Sequence, residues 1–208
     1  MKTIQFTPNR ITVDLILEIK KTLENSGIVA HPTETIYGLT ANLYDEEAIH
    51  KVYTIKKRPA HKPLSLMVHS IDEIDKITGG LSKKARNLCE ALLPGPVTIL
   101  LPLKKKLDLP YFNKLDFLGF RIPNYELCTD ILTAVEFPLI TTSANISEYK
   151  TAQFATEVMF DFGSDIDLLI DGGKTGNTSS TILKLESNKI EVIREGLISN
   201  EEIHALNV

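Results

Sequence analysis

Two segments of this chain collect side chains able to bind and polarise an anion. His31-Pro32-Thr33-Glu34-Thr35-Ile36-Tyr37-Gly38-Leu39 follows a short apolar run and packs hydroxyls, a carboxylate and a glycine together. Lys56-Lys57-Arg58-Pro59-Ala60-His61-Lys62 sets four fixed cations and a histidine in one turn, and Pro63 then opens another apolar run, Leu64 to Val68. A cationic turn beside a polar turn is a place to hold an anion. Four further polar clusters fall at the ends of expected strands: Arg121-Ile122-Pro123, Thr141 to Ser147, Asp171-Gly172-Gly173 and Arg194-Glu195-Gly196. Ligands of open α/β sheets bind outside strand ends, so the four together point to one shared site. Any one of them alone is ordinary turn chemistry, because Ser, Thr, Asn and Gly are what turns are made of.

Other chemistries lack their context. Gly173-Lys174-Thr175 is not a Walker loop: the glycine required five residues earlier is Leu168, and a strand rather than a helix is expected after Gly176-Asn177-Thr178-Ser179. No Gly-x-Ser-x-Gly elbow surrounds Ser143. Cys89 and Cys128 lie far apart with no CxxC or HExxH, so buried thiols are expected and a metal site is not. Glu34 is a candidate general base, although a carboxylate among threonines is as often a turn residue. His61 lies nearest the cations, whereas His50 and His204 fit helix surfaces.

The elements that must position these residues follow from periodicity. Strands are expected at 2–6, 28–30, 64–68, 97–101, 117–122, 138–141, 168–171, 180–185 and 190–194. Helices are expected at 13–25, closed by Gly27, at 46–55 behind Asp45, after the Ser70-x-x-Glu73 capping box, from Ser82 to Leu93, at 126–135 and at 155–162. The basic turn then lies at a helix C-terminus, where cations are favoured. Pro94-Gly95-Pro96 forbids helix continuation. Alternating strands and helices make this an α/β chain, and a closing hairpin around Ser187-Asn188 makes the sheet mixed.

With 208 residues and 43 % hydrophobic content, one domain over residues 1–208 with a substantial core is expected. No apolar run approaches the roughly 18 residues that span a bilayer, and Met1 to Arg10 lacks the order of a signal peptide, so no membrane partner and a cytoplasmic location are expected. The net charge of -4 argues against a general nucleic-acid binder. Ser143 to Thr151 has the composition of a lid.

Taken together, Pro32-Thr33-Glu34-Thr35-x-Tyr37-Gly38-Leu39, Lys56-x-Arg58-Pro59 with Lys62-Pro63-Leu64, Pro94-Gly95-Pro96-x-Thr98, Arg121-x-Pro123, Ser143-Ala144-Asn145, Asp171-Gly172-Gly173, Ser180-Thr181 and Arg194-x-Gly196 resemble the YrdC-like threonylcarbamoyl-AMP synthases. The resemblance runs in the family's order from about residue 28 to residue 200. It implies a single twisted mixed-sheet domain with a concave, positively charged cavity. The implied reaction is nucleotidyl transfer, condensing L-threonine, bicarbonate and ATP into threonylcarbamoyl-AMP and pyrophosphate, with Mg2+ accompanying ATP. The product would serve threonylcarbamoyladenosine modification at tRNA position 37, which makes tRNA and a downstream threonylcarbamoyl-transferase complex further expected partners.

Residue by residue, the resemblance puts Lys56 and Arg58 at the phosphates and has Ser143 and Asn145 supply neutral hydrogen bonds, these four forming the catalytic and nucleotide-binding set with Arg194 from the last strand. Arg121 would hold the threonine carboxylate, and Thr33, Thr35, Thr141 and Ser180 would line the substrate pocket. Phe117 and Glu148 depart from the family pattern, standing where a threonine and a glycine are usual. The alternative is a non-catalytic RNA-binding relative. The negative charge and the absence of an aromatic-rich basic face count against it.

Overall fold

The computed structural model describes residues 1–7 and 10–206. Ten strands form one sheet: β1 (Lys2–Gln5), β2 (Val29–His31), β3 (Gly38–Asn42), β4 (Ser65–Met67), β5 (Val97–Pro102), β6 (Phe117–Arg121), β7 (Leu139–Ser143), β8 (Leu168–Asp171), β9 (Thr181–Glu186) and β10 (Lys189–Arg194). Their spatial order is β1-β8-β2-β3-β7-β4-β6-β5-β9-β10, with parallel and antiparallel pairs mixed as the sequence leads one to expect. Seven α-helices accompany them: α1 (Val13–Glu24), α2 (Glu46–Ile55), α3 (Ile71–Thr78), α4 (Lys83–Leu92), α5 (Glu126–Val135), α6 (Ala155–Phe162) and α7 (Asn200–His204). Among the described residues, no helix is long and apolar enough to cross a membrane.

The expected helix starts carry their caps. Asp45, Ser70 and Ser82 each accept a backbone N–H three residues on, and Gly79 closes α3 at φ 78°, where a side chain would be strained. Ser187 and Asn188 both take positive φ, 48° and 62°, the two-residue turn that suits a twisted hairpin. Two elements go beyond the sequence expectation. Strand β3 pairs antiparallel with both β2 and β7, and Leu39 and Ala41 face the same apolar cluster there as the strand period requires. Helix α7 opens on a Ser199–Glu202 capping box, a signal that was present in the chain.

Strict alternation along the central strands feeds two apolar clusters. Val29, Met67, Leu139 and Leu168 face α1 and α5 through Ile19, Leu23 and Ile131. Ala30, Leu66, Ile140 and Leu169 face the other way, into the larger cluster that includes Val52 of α2, Leu88 of α4 and Val158 of α6. The period of two also places Ser65, Thr141, Ser143, Gly119 and Thr98 on the same face as α1 and α5. These residues are small and polar, and they lie where α1 and α5 no longer cover the sheet. The fold thereby leaves a hollow on one half of one face.

Candidate active site

The hollow is a cleft open to solvent, with a cavity volume of about 150 Å³. Three guanidinium groups line it, those of Arg58, Arg121 and Arg194, and among the described residues no carboxylate does. Its floor depends on Gly119: a Cβ there would come within 2.6 Å of Ser65 Oγ and 3.2 Å of Thr98 Cγ2. A side chain at that position would fill the hollow.

Arg58 reaches the cleft because the chain reverses just after α2. Lys57 takes φ 51°, which lets Arg58 N–H return to the Tyr53 carbonyl at 2.9 Å. The guanidinium then donates through Nε to the Lys62 carbonyl (2.9 Å) and through NH2 to that of Pro63 (2.8 Å), so its direction is fixed by backbone. Arg194, at the end of β10, donates to the Ser180 carbonyl at 2.7 Å, and the Ser180 and Thr98 hydroxyls lie 3.1 Å apart. Gly196 makes this possible, because any Cβ there would collide with the backbone of Ser179 to Thr181. Burial pulls the pKa values of Arg58 and Arg194 below the ordinary arginine value, with Arg121 adding to the effect on Arg194. Both start so high that they stay cations at neutral pH.

Arg121, at the end of β6, forms the third corner. Its NH2 donates to Thr35 Oγ1 (2.9 Å) and lies 2.9 Å from Glu34 Oε1. Thr33 Oγ1 donates to the Ile36 carbonyl at 2.7 Å, so its contact with Thr35 at 2.8 Å has Thr35 as donor. The result is a polarised chain, Arg121 to Thr35 to Thr33 to backbone, in the wall of the cleft. Thr141 and Ser143 of β7 complete that wall. Tyr37 fixes the neighbouring turn: its hydroxyl accepts from Gly172 N–H (3.0 Å) and donates to the Gly173 carbonyl (2.9 Å), and burial raises its pKa to about 12.

Lys56 and Asn145 stand behind the cleft rather than in it. The Lys56 ammonium is buried, 1 % exposed, and donates to the carbonyls of Ser143 (2.5 Å) and Asn145 (2.6 Å), while the Lys56 carbonyl accepts from Ser147 N–H at 2.9 Å. Burial, reinforced by the Arg58 charge, lowers its pKa to about 7. The Asn145 amide donates to the carbonyls of Ile146 (2.9 Å) and Tyr149 (2.6 Å), and its Oδ1 accepts from the Ser143 hydroxyl at 2.5 Å. Lys56 and Asn145 thus shape the turn that presents Ser143. The resemblance puts Lys56 at the phosphates; in the structure its ammonium donates to the two carbonyls of this turn.

Two departures from the family pattern are placed as well. Glu148 takes φ 72°, the left-handed conformation that suits glycine, and pairs with Lys62 at 2.6 Å. Phe117 lies under the Lys184 ammonium, 4.2 Å from its ring centroid, and does not line the cleft. His61 is exposed in its turn and does not line the cleft either. Sequence reasoning passed over Ser65 and Gly119; the strand period of two would have put both on the open face.

Fold and cleft together define an α/β protein with an arginine-lined cleft on the uncovered part of a mixed sheet. The family model for Sua5, YciO and YrdC proteins, described as telomere recombination, matches residues 21–196, and the chain belongs to this family. A protein of Methanocaldococcus jannaschii named putative threonylcarbamoyl-AMP synthase is 38 % identical over 186 residues, covering 89 % of this chain and 87 % of its own length. The threonylcarbamoyl-AMP synthase of Bacillus subtilis is 32 % identical over 88 % of this chain, which spans 54 % of that relative. The crystal structure of P. abyssi Sua5 complexed with L-threonine superposes with a TM-score of 0.89 at 31 % identity, over 98 % of this chain and 60 % of that one.

Proposed function

We propose that this chain is an L-threonylcarbamoyladenylate synthase, a nucleotidyltransferase joining L-threonine, bicarbonate and ATP. The observation that carries the proposal is the meeting of three arginines and a wall of hydroxyls in one cleft that, among the described residues, no carboxylate lines. The names of relatives that align along most of the chain support it.

In this mechanism the threonine carboxylate docks on the edge of Arg121 that Glu34 and Thr35 leave open, with the hydroxyls of Thr35, Thr141 and Ser180 around it. The ammonium gives one proton to solvent, the resulting amine nitrogen bonds to the bicarbonate carbon, and a second nitrogen proton leaves with the bicarbonate hydroxyl as water, giving a carbamate. A carbamate oxygen then attacks the α-phosphorus of ATP, and the bond to the β-phosphate oxygen breaks to release pyrophosphate. Two anions must approach each other in that step. Arg58 and Arg194, held in place by backbone carbonyls, neutralise the phosphates without reorganising, and their effect is greatest where negative charge develops. The Ser143 hydroxyl, oriented by Asn145, offers its lone pairs toward the cleft.

Mg2+ enters as part of the ATP substrate, on phosphate oxygens and water. The product would be passed to a threonylcarbamoyl transferase acting on tRNA in the cytoplasm. The test is pyrophosphate release from MgATP by the purified chain. Release that requires both threonine and bicarbonate is the expected result; salt-sensitive tRNA binding with no release would mean an RNA-binding relative instead.

A further inference from the structure

Glu34 does not line the cleft, yet it is the carboxylate paired with one of the three lining arginines. The pair is sheltered: the side chains of Arg121 and Glu34 are 12 % and 16 % exposed. Glu34 Oε2 and Arg121 Nε are buried, and Oε1 also receives Asn124 N–H at 3.3 Å. A sheltered pair is screened little by salt, so its charges cancel effectively. The other two arginines differ. Arg58 and Arg194 donate only to neutral oxygens, those of Lys62, Pro63 and Ser180, and among the described residues neither has a carboxylate in ion-pair range. The cleft therefore has one compensated cation and two uncompensated ones.

We propose that Glu34 is a specificity-determining residue that, by cancelling the Arg121 charge, makes that end of the cleft accept a zwitterionic amino acid and leaves polyphosphate to the Arg58 and Arg194 end. The inference rests on the threonine and ATP assignment made above. An amino acid brings its own ammonium to offset its carboxylate, so it loses nothing when Arg121 is already paired, and Glu34 attracts the ammonium through space. An anion without that ammonium meets a site of no net charge. Glu34 acts through Arg121 and the local field, as a positioning residue rather than a catalytic one.

The experiment compares binding of L-threonine with that of (R)-3-hydroxybutyrate, the same carboxylate and hydroxyl without the amine, by calorimetry. The native chain is expected to prefer threonine strongly and to bind it unaffected by inorganic pyrophosphate. Glu34→Gln keeps the shape and an acceptor for Arg121 but removes the charge. It should reduce the preference about tenfold, as expected for loss of one partly buried charge near the ligand, and should let pyrophosphate compete with threonine. Glu34→Asp, which retains the charge, should keep most of the preference. An unchanged preference in Glu34→Gln overturns the inference while threonine binding by the native chain leaves the function standing. Displacement of threonine by pyrophosphate from the native chain overturns it without any variant. Failure of the native chain to bind threonine removes the functional assignment and this inference with it.

Discussion

The three arginines are not equivalent, because each is tied down by a different kind of oxygen. Arg58 is held by two carbonyls of its own turn, so Arg58→Ala removes a preorganised cation without unpairing another charge. The expected effect is a fall of about 10²-fold or more in threonine-dependent pyrophosphate release with the melting temperature little changed. Lys56 is a different case. Its pKa of about 7 lies below the value near 10.5 of an unfolded lysine, so between those pH values the unfolded chain binds more protons and the native state gains stability as pH rises. Lys56→Met should lack that slope, so the stability of the native chain relative to the variant should climb from pH 7 toward pH 10 in denaturant titrations. His31 gives the acid counterpart. It is fully buried, and burial lowers its pKa from 6.5 to about 4. Its Nδ1–H donates to the Pro32 carbonyl at 3.0 Å, the tautomer a neutral ring must take to satisfy that acceptor. Stability present above pH 6.5 should be lost as pH falls toward 4, by on the order of 3 kcal/mol, and His31→Gln should flatten that loss.

At the scale of elements, the cleft exists because certain strand positions carry almost nothing. Gly119→Ala should destabilise the chain by about 1–3 kcal/mol and weaken ligand binding, since the new methyl meets Ser65 Oγ at 2.6 Å. Thermal melts should show part of the loss recovered when Ser65→Ala is added, because the two changes share one contact. Helices with strong caps and strands with β-branched runs were legible in the sequence, as α2 behind Asp45 and β5 from Val97 show. Strand β3 was harder to read. Its Gly-Leu-Thr-Ala-Asn sequence has weak strand propensity, and its pairing on both sides with β2 and β7 supplies what the residues lack. Of the four clusters at strand ends, those of Arg121, Ser143 and Arg194 line the one cleft and Asp171-Gly172-Gly173 does not. The inward turn of Lys56 went unread although the helical period carries it, since Ile49, Val52 and Tyr53 set position 56 on the buried face of α2.

For the whole molecule, the sheet is covered on one face by α2, α4 and α6 and on half of the other by α1 and α5. The uncovered half brings together residues from Thr33 to Arg194, distant in sequence and joined only by the strand order. A net charge of -4 spread over the chain does not oppose this, since cations concentrated in a concave low-dielectric surface govern the local field. The most direct measurement is a crystal structure of this chain with L-threonine and a non-hydrolysable ATP analogue. The triphosphate should lie between Arg58 and Arg194 with the threonine carboxylate on Arg121, its amine facing the α-phosphate across the gap. A nucleotide bound anywhere outside this hollow, or a threonine carboxylate away from Arg121, would contradict the account.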